Sequence, residues 1–208
     1  MVSEDRRRKH HVQRRQVLCL GLAAAAAPLV SSPSRAETVI DLLRVPGHVG
    51  FMRHALAPLE GAPKDGDRVG PEIGPCATQR NINDVGRSEA RRIAALFRQQ
   101  GLVFEHVYTS AWCRCRETAE LVMGRPVENL PALDSYFTSQ AKATRGPAQI
   151  AALKRFLNET LKPADRALLV THGSVIGDLT AIETGETEIV VVKADSTGGI
   201  KVIGHGVV

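Results

Sequence analysis

The chain has 208 residues, of which 43% are hydrophobic and 24% are charged, and its formal net charge is +5. This length and composition fit one globular domain with its own core, and they exclude a disordered or collagen-like chain. Four cysteines are too few for a disulfide-dense miniprotein, and the absence of an unbroken apolar run of about 18 residues excludes a protein with several membrane spans.

The first 36 residues have the pattern of an export signal. Six basic residues lie between positions 6 and 15, an apolar run covers residues 17–30, and small residues end the segment. This order is typical of a cleavable signal peptide, and Arg14-Arg15 directly before the apolar run is typical of the twin-arginine route. We therefore expect a mature chain that starts at Glu37 and is periplasmic or secreted. The alternatives are an uncleaved membrane anchor and a basic arm that binds nucleic acid.

Short apolar runs alternate with helical patterns through the rest of the chain. The patterns predict strands at residues 48–52, 104–108, 127–130, 167–170, 188–193 and 199–203. They predict helices at about 84–100, through 113–123, at about 147–161 and after Ser174. This alternation predicts one α/β domain over residues 37–208, a three-layer sandwich with a mostly parallel central sheet and helices on both faces.

Turn residues mark the ends of the first of these helices. Asn83 or Asp84 can cap its N-terminus, and Gly101 follows its last turn. Before it, the segment 57–78 is rich in Gly and Pro and has no apolar periodicity. Loops of this length are uncommon unless they have a function, so we expect a functional surface loop here.

Reactive and polar side chains follow three of the predicted strands. Arg53-His54, Ser110 and Thr171-His172 each stand at the carboxyl end of a strand. In open α/β sheets ligands bind outside the carboxyl ends of the strands, so these residues can converge on one pocket. An imidazole is a good nucleophile toward phosphorus and a guanidinium donates two hydrogen bonds to phosphate oxygens. The set therefore favours phosphoryl chemistry over metal-dependent hydrolysis.

Four motifs carry a family resemblance that spans residues 48 to about 180. They are Arg53-His54, the stretch Asn81 to Ala90, the stretch Tyr108 to Ala119, and Thr171-His172-Gly173. In this order they resemble the motifs of the histidine phosphatase superfamily, the phosphoglycerate-mutase-like group. The resemblance implies a phosphomonoester hydrolase that acts on a small phosphorylated substrate through a phosphohistidine, with no cofactor and no metal ion.

The resemblance also implies a role for individual residues. By position, His54 is the nucleophile, Arg53 beside it binds the phosphoryl group, and Arg114 and His172 stabilise charge on that group. The family needs an acid that protonates the leaving oxygen, and Asp134 stands at the position of the usual Glu. A capping or surface role is the alternative for Asp134.

The sequence departs from the family pattern after the nucleophile. Ala55 replaces the usual glycine, and a long Gly/Pro-rich segment replaces a short polar link. We therefore expect residues 57–80 to set substrate specificity, with Arg68 or Arg80 in contact with an anionic substrate. A solvated surface charge is the alternative for each of these arginines.

Three cysteines follow the predicted signal. In an oxidising compartment Cys76 can pair with either Cys113 or Cys115 and pin the long loop to the start of a helix. The two later cysteines are badly placed to bond each other within one helix. A metal site at Cys113-x-Cys115 and unpaired thiols are the alternatives.

The formal net charge of +5 comes from the residues of the predicted signal. Residues 1–36 hold seven of the 27 basic and two of the 22 acidic residues, which leaves 20 of each in the rest of the chain. A formally neutral domain weakens the case for nucleic-acid binding, and we expect neither nucleic-acid binding nor a stable membrane association after cleavage. A mutase or phosphotransferase and a phosphate-binding homologue without activity are the alternatives to a phosphatase.

Overall fold

The computed structural model describes residues 35–62, 73–136 and 139–208. Nearly all of the predicted export signal, and Arg68, lie outside these residues. Within the described ranges, no helix combines the length and the apolar character needed to cross a membrane.

Six strands and five α-helices alternate along the described chain. The strands are β1 (His48–Arg53), β2 (His106–Thr109), β3 (Glu128–Asn129), β4 (Ala167–Thr171), β5 (Ile189–Ala194) and β6 (Ile200–Gly206). The helices are α1 (Arg35–Arg44), α2 (Asp84–Gln99), α3 (Cys113–Met123), α4 (Ser139–Arg155) and α5 (Gly173–Thr180). Short 3₁₀ turns cover Cys76–Thr78 and Pro131–Leu133, and a π-helical turn covers Phe156–Thr160.

The strands form one sheet in the order β3-β2-β4-β1-β5-β6. The first four strands in this order are parallel to one another, whereas β5 runs antiparallel to both β1 and β6. The prediction of a mostly parallel sheet is therefore only partly right, because the sheet is mixed. A short connection between β5 and β6 allows a hairpin, whereas a parallel pair needs a long crossover.

Helices cover both faces of the sheet, as predicted. The side chains of the buried central strand β4 alternate between the two faces. Leu168 and Val170 belong to one apolar cluster with α1, α2 and α3, while Ala167 and Leu169 belong to another with α4 and α5. Two cores, one on each side of the sheet, follow from this alternation.

Two helices differ from the prediction. Helix α1 was not predicted because it adjoins the export signal, yet its Val39, Ile40 and Leu43 are buried in the core. Helix α4 begins at Ser139, eight residues before Pro147, and the proline lies inside it. Proline is favoured in the first helical turn, so its place inside α4 gives no local signal of the earlier start.

The start of α2 packs closely against the loop that follows His54. Asn83 caps the helix, since its side chain accepts a hydrogen bond from Gly86 N at 2.9 Å. A Cβ at Gly86 would lie 2.5 Å from the Leu56 carbonyl oxygen. Only glycine therefore lets α2 approach the segment beside the predicted nucleophile this closely.

Candidate active site

An open cleft of about 480 Å³ lies at the carboxyl ends of the parallel strands. Five of the six residues predicted for the site line this cleft: Arg53, His54, Arg80, Arg114 and His172. The other lining residues are Ser135, Tyr136, Gly173, Ser174, Glu183 and Thr184. Tertiary folding thus brings together side chains that lie more than 100 positions apart in the chain.

His54 follows β1 directly and is almost fully buried. Its Nδ1 lies 2.9 Å from the carbonyl oxygen of Ala55. Because a carbonyl oxygen only accepts, Nδ1 carries the proton and Nε2 keeps a lone pair. Burial, followed by the positive charge of Arg114, lowers the pKa of His54 to about 3. The imidazole is therefore neutral near pH 7, which a nucleophile requires.

The Arg53 side chain is held in place by residues of the segment that precedes β5. Its Nη1 donates to the carbonyl oxygen of Thr184 at 2.5 Å, and its Nη2 pairs with Glu186 Oε1 at 2.9 Å. Thr187 in the same segment adopts a φ of +58°, a strained conformation for a β-branched residue. Contacts with β1, among them the hydrogen bond from Arg53 N to the Glu188 carbonyl oxygen, hold this segment at the site.

Arg114 and Arg80 bring two more guanidinium groups to the cleft. Arg114, in the first turn of α3, is fully buried, and its guanidinium carbon lies 4.8 Å from the centre of the Trp112 ring. Its Nη1 lies 3.4 Å from the carbonyl oxygen of Arg80. The Arg80 side chain donates to the Ala57 carbonyl oxygen at 2.7 Å. A buried cation beside two neutral histidines makes the cleft a strong attractor for an anion.

A disulfide bond joins Cys76 and Cys113, one of the two predicted pairings. It ties the start of α3 to the short turn before Arg80, and Gln79 Oε1 accepts a hydrogen bond from Cys113 N at 2.9 Å. The alternative metal site is wrong, because a disulfide-bonded Cys113 has no thiolate to offer. Cys115 forms no disulfide and is buried, and burial raises its pKa to about 12.

His172 directly precedes α5 and is also buried. Burial and the nearby charge of Arg114 keep its pKa well below the usual value, so this ring is neutral too. Its Nδ1 lies 3.3 Å from Arg114 Nη2, and its Nε2 lies 3.0 Å from Ser110 Oγ. His172 and His54 are packed edge to face, with 5.5 Å between the ring centres.

Among the predicted site residues that the structure describes, only Asp134 is not one of those lining the cleft. Its Oδ1 accepts hydrogen bonds from Ser110 Oγ and from Ala111 N, both at 2.8 Å. Burial raises the pKa of Asp134, while these two hydrogen bonds oppose the rise. The carboxylate of Asp134 thus contacts Ser110 and Ala111 after β2, and it is not part of the wall of the cleft.

Glu183 is the residue that the sequence prediction missed. It is the only carboxylate among the described lining residues, and it is exposed. It precedes β5, whose amino end reaches the edge of the sheet at the cleft only because β5 runs antiparallel to β1. A prediction of a mostly parallel sheet places that end at the opposite edge, so only the strand direction could have pointed to Glu183.

Comparisons with known proteins give two partial sequence matches. Residues 76–152 match the family model described as histidine phosphatase superfamily (branch 1). This range contains Arg80, Arg114 and Asp134 but neither histidine of the cleft. Over 43 residues the chain is 49% identical to the 2,3-bisphosphoglycerate-dependent phosphoglycerate mutase of Azorhizobium caulinodans, a match that covers 21% of this chain and 21% of the mutase.

Solved structures of phosphatases share the fold. Protein histidine phosphatase SixA complexed with tungstate has a TM-score of 0.53 at 22% identity, over 76% of this chain and 95% of that one. Phosphoserine phosphatase from Entamoeba histolytica in complex with 3-phosphoglyceric acid has a TM-score of 0.54 at 14% identity, over 77% and 97%. Alpha-ribazole phosphatase from Shigella flexneri has a TM-score of 0.52 at 17% identity, over 74% and 94%.

The family match covers less than half of the chain, and the solved structures show a shared fold. At sequence identities of 14–22%, the structural likeness shows a shared fold and not a shared activity. The activity and the substrate therefore have to be argued from the residues of the cleft.

Proposed function

We propose that the protein is an exported phosphomonoester hydrolase that works through a phosphohistidine on His54. The observation that carries the proposal is the state of His54: a neutral imidazole with a free Nε2, in a cleft that Arg53, Arg80 and Arg114 also line. A nucleophile and preorganised cations are what phosphoryl transfer requires.

In the proposed reaction, His54 Nε2 attacks phosphorus in line with the leaving oxygen. The new N–P bond forms as the P–O bond breaks, and the leaving oxygen takes a proton. Water then attacks phosphorus, the N–P bond breaks, and inorganic phosphate leaves with His54 neutral again. The arginines and His172 surround the phosphoryl oxygens as charge shifts onto them. The scheme uses no metal ion and no cofactor, so we expect a chelator to leave the rate unchanged.

Glu183 is our candidate for the group that protonates the leaving oxygen. A carboxylic acid in the cleft can give its proton to that oxygen in the first step and take one from water in the second. Its position in the wall of the cleft favours it over Asp134, whose Oδ1 is occupied by Ser110 and Ala111.

The substrate that we propose is a small, polar phosphomonoester. Beyond the arginines, the wall of the cleft carries the hydroxyl-bearing residues Ser135, Ser174 and Thr184 and the carboxylate of Glu183. Such groups can hydrogen-bond a hydroxylated leaving group. Among the structural neighbours, one holds 3-phosphoglyceric acid and another tungstate, which also favours a small anionic ligand.

Replacement of His54 tests the proposal. We expect His54→Ala to reduce turnover of an aryl phosphate at least about 1000-fold, because the nucleophile is lost. The matched control is His106→Asn, since His106 pairs with Asp165 and is not a lining residue. Denaturing the wild type during turnover of a ³²P-labelled substrate should trap label on His54. Unchanged turnover in His54→Ala would refute the proposal.

The partial match to a phosphoglycerate mutase favours one second candidate, a phosphotransferase. A mutase moves the phosphoryl group between hydroxyls of phosphoglycerate and releases little inorganic phosphate. Parallel measurement of phosphate release and of 2- to 3-phosphoglycerate conversion separates the two functions. We expect release without conversion.

Export is proposed from the N-terminal pattern alone. A cut before Glu37 would leave the buried Val39, Ile40 and Leu43 of α1 in the mature chain. N-terminal sequencing of the protein from a periplasmic fraction should therefore begin at Glu37. A full-length chain in the cytoplasmic fraction would contradict export.

A further inference from the structure

We propose that Asp134 is a positioning residue, which acts through Ser110 to fix the orientation and tautomer of His172 and thereby the guanidinium of Arg114. The inference rests on the proposed function and assigns Asp134 a different role from proton donation. It stands on a chain of hydrogen bonds that joins the four side chains end to end.

The direction of each hydrogen bond follows from one backbone group. Ala111 N–H donates to Asp134 Oδ1 at 2.8 Å, so this oxygen is an acceptor whatever the state of the other carboxyl oxygen. Ser110 Oγ lies 2.8 Å from the same Oδ1 and must therefore donate its single proton to it. The hydroxyl of Ser110 is left with lone pairs only.

This leaves one arrangement for His172. Its Nε2 lies 3.0 Å from Ser110 Oγ, and since the hydroxyl proton is already used, Nε2 must carry a proton and donate it. The ring is neutral, because burial and Arg114 keep its pKa well below the usual value. Nδ1 therefore has the lone pair, and it faces Arg114 Nη2 at 3.3 Å. The chain runs from Arg114 through His172 and Ser110 to Asp134, with every proton assigned.

A nearby thiol does not disturb the assignment. Cys115 Sγ lies 3.3 Å from His172 Nε2, and a thiol donating to Nε2 would reverse the tautomer. In that case Nε2 and Ser110 Oγ would meet lone pair to lone pair at 3.0 Å, which is repulsive. Cys115 is therefore a packing neighbour of the ring, and Cys115→Ala serves as a control variant.

The consequence for the reaction is a guanidinium held in place before the substrate arrives. Arg114 is buried and lines the cleft, so its direction decides where a phosphoryl oxygen can bind. Preorganised donors need no rearrangement during the reaction, and losing the group that orients one costs activity without touching the substrate.

Three substitutions separate positioning from acid catalysis. Asp134→Asn keeps an oxygen that accepts from Ser110 and Ala111, so we expect kcat/KM within about threefold of the wild type. Ser110→Ala breaks the chain and should lower kcat/KM roughly 10- to 100-fold, the effect of losing one strong hydrogen bond. Asp134→Ala should resemble Ser110→Ala, and the double variant should fall no further than either single variant.

A spectroscopic readout tests the chain without turnover. In ¹⁵N-histidine protein, with the His172 signals identified from a His172→Gln variant, we expect the Nε2–H tautomer in the wild type, in Asp134→Asn and in Cys115→Ala. Ser110→Ala should show a mixture of tautomers. A Nδ1–H tautomer in the wild type would overturn the inference, as would loss of activity in Asp134→Asn equal to that in Asp134→Ala.

The two proposals fail in different ways. If His54→Ala retained full turnover, the phosphohistidine mechanism would fall, while the tautomer of His172 would still support or refute the hydrogen-bond chain. If Ser110→Ala kept both the wild-type rate and the wild-type tautomer, the chain would be refuted and the phosphatase proposal would stand.

Discussion

The disulfide between Cys76 and Cys113 offers a stability prediction whose size follows from the structure. The bond closes a loop with a sequence separation of 37 residues. The chain-entropy model gives a stabilisation of about 4 kcal/mol for a loop of this length. For a domain of this size each kcal/mol shifts the unfolding temperature by about 2–4 °C. The Cys76→Ala/Cys113→Ala variant should therefore unfold roughly 8–15 °C below the oxidised wild type.

The same bond contributes to the geometry of the cleft. Arg80 follows Cys76 by four residues, and its carbonyl oxygen contacts Arg114. Opening the loop should let Arg80 move, and we expect KM for an aryl phosphate to rise while His54 keeps its chemistry.

Thermal unfolding followed by circular dichroism, with and without reductant, is the assay. Reductant should lower the unfolding temperature of the wild type to that of the double variant and leave the double variant unchanged. Cys115→Ala is the matched control, because Cys115 forms no disulfide and the variant should stay sensitive to reductant. A double variant that unfolds within about 2 °C of the oxidised wild type would refute the loop argument.

Three further predictions concern the cleft. Arg114→Ala should lower kcat/KM about 100- to 1000-fold, as loss of one oxyanion donor does, while the exposed Arg125→Ala should match the wild type in the same steady-state assay. Burial lowers the pKa of His54 to about 3, below its value in an unfolded chain near 6.5, so the unfolded state binds more protons between these values. The contribution of His54 to the free energy of unfolding should therefore be fully present above pH 6.5 and decline as the pH falls toward 3. In urea unfolding from pH 7 to pH 4, this free energy should fall less in His54→Asn than in the wild type. An equal fall in both would contradict a lowered pKa of His54. Glu183→Gln should slow alkyl phosphates at least about 10-fold more than p-nitrophenyl phosphate, because a good leaving group needs no proton; an equal effect on both substrates would exclude Glu183 as the acid.

Local patterns in the sequence predicted much of the fold correctly. The fully apolar run of β4 is a central strand, Asn83 caps α2, and Gly101, with a φ of +59°, follows its end. These features depend on residues a few positions apart, whose periodicity or backbone preference is written directly in the chain. The motif residues His54, Arg53, Arg114 and His172, which the sequence predicts to converge on one pocket, line the same cleft.

Other features depend on contacts between residues far apart in the chain. The sequence did not distinguish a pairing of Cys76 with Cys113 from one with Cys115, and only the fold brings Cys76 to Cys113. Asp134 was predicted as an acid from its position, whereas its Oδ1 accepts from Ser110, 24 residues away. Neither pairing has a local signal, because each depends on how loops between strands and helices pack.

By itself, the sequence determined the α/β class, the order of most elements and most of the predicted site residues that line the cleft. Tertiary structure alone decided the direction of β5, and with it the arrival of Glu183 and of the segment that holds Arg53 through Glu186, 133 residues away. The physical reason is that strand direction is set by packing and by the length of connections, whereas the continuous apolar run of β5 is also the pattern of a buried parallel strand.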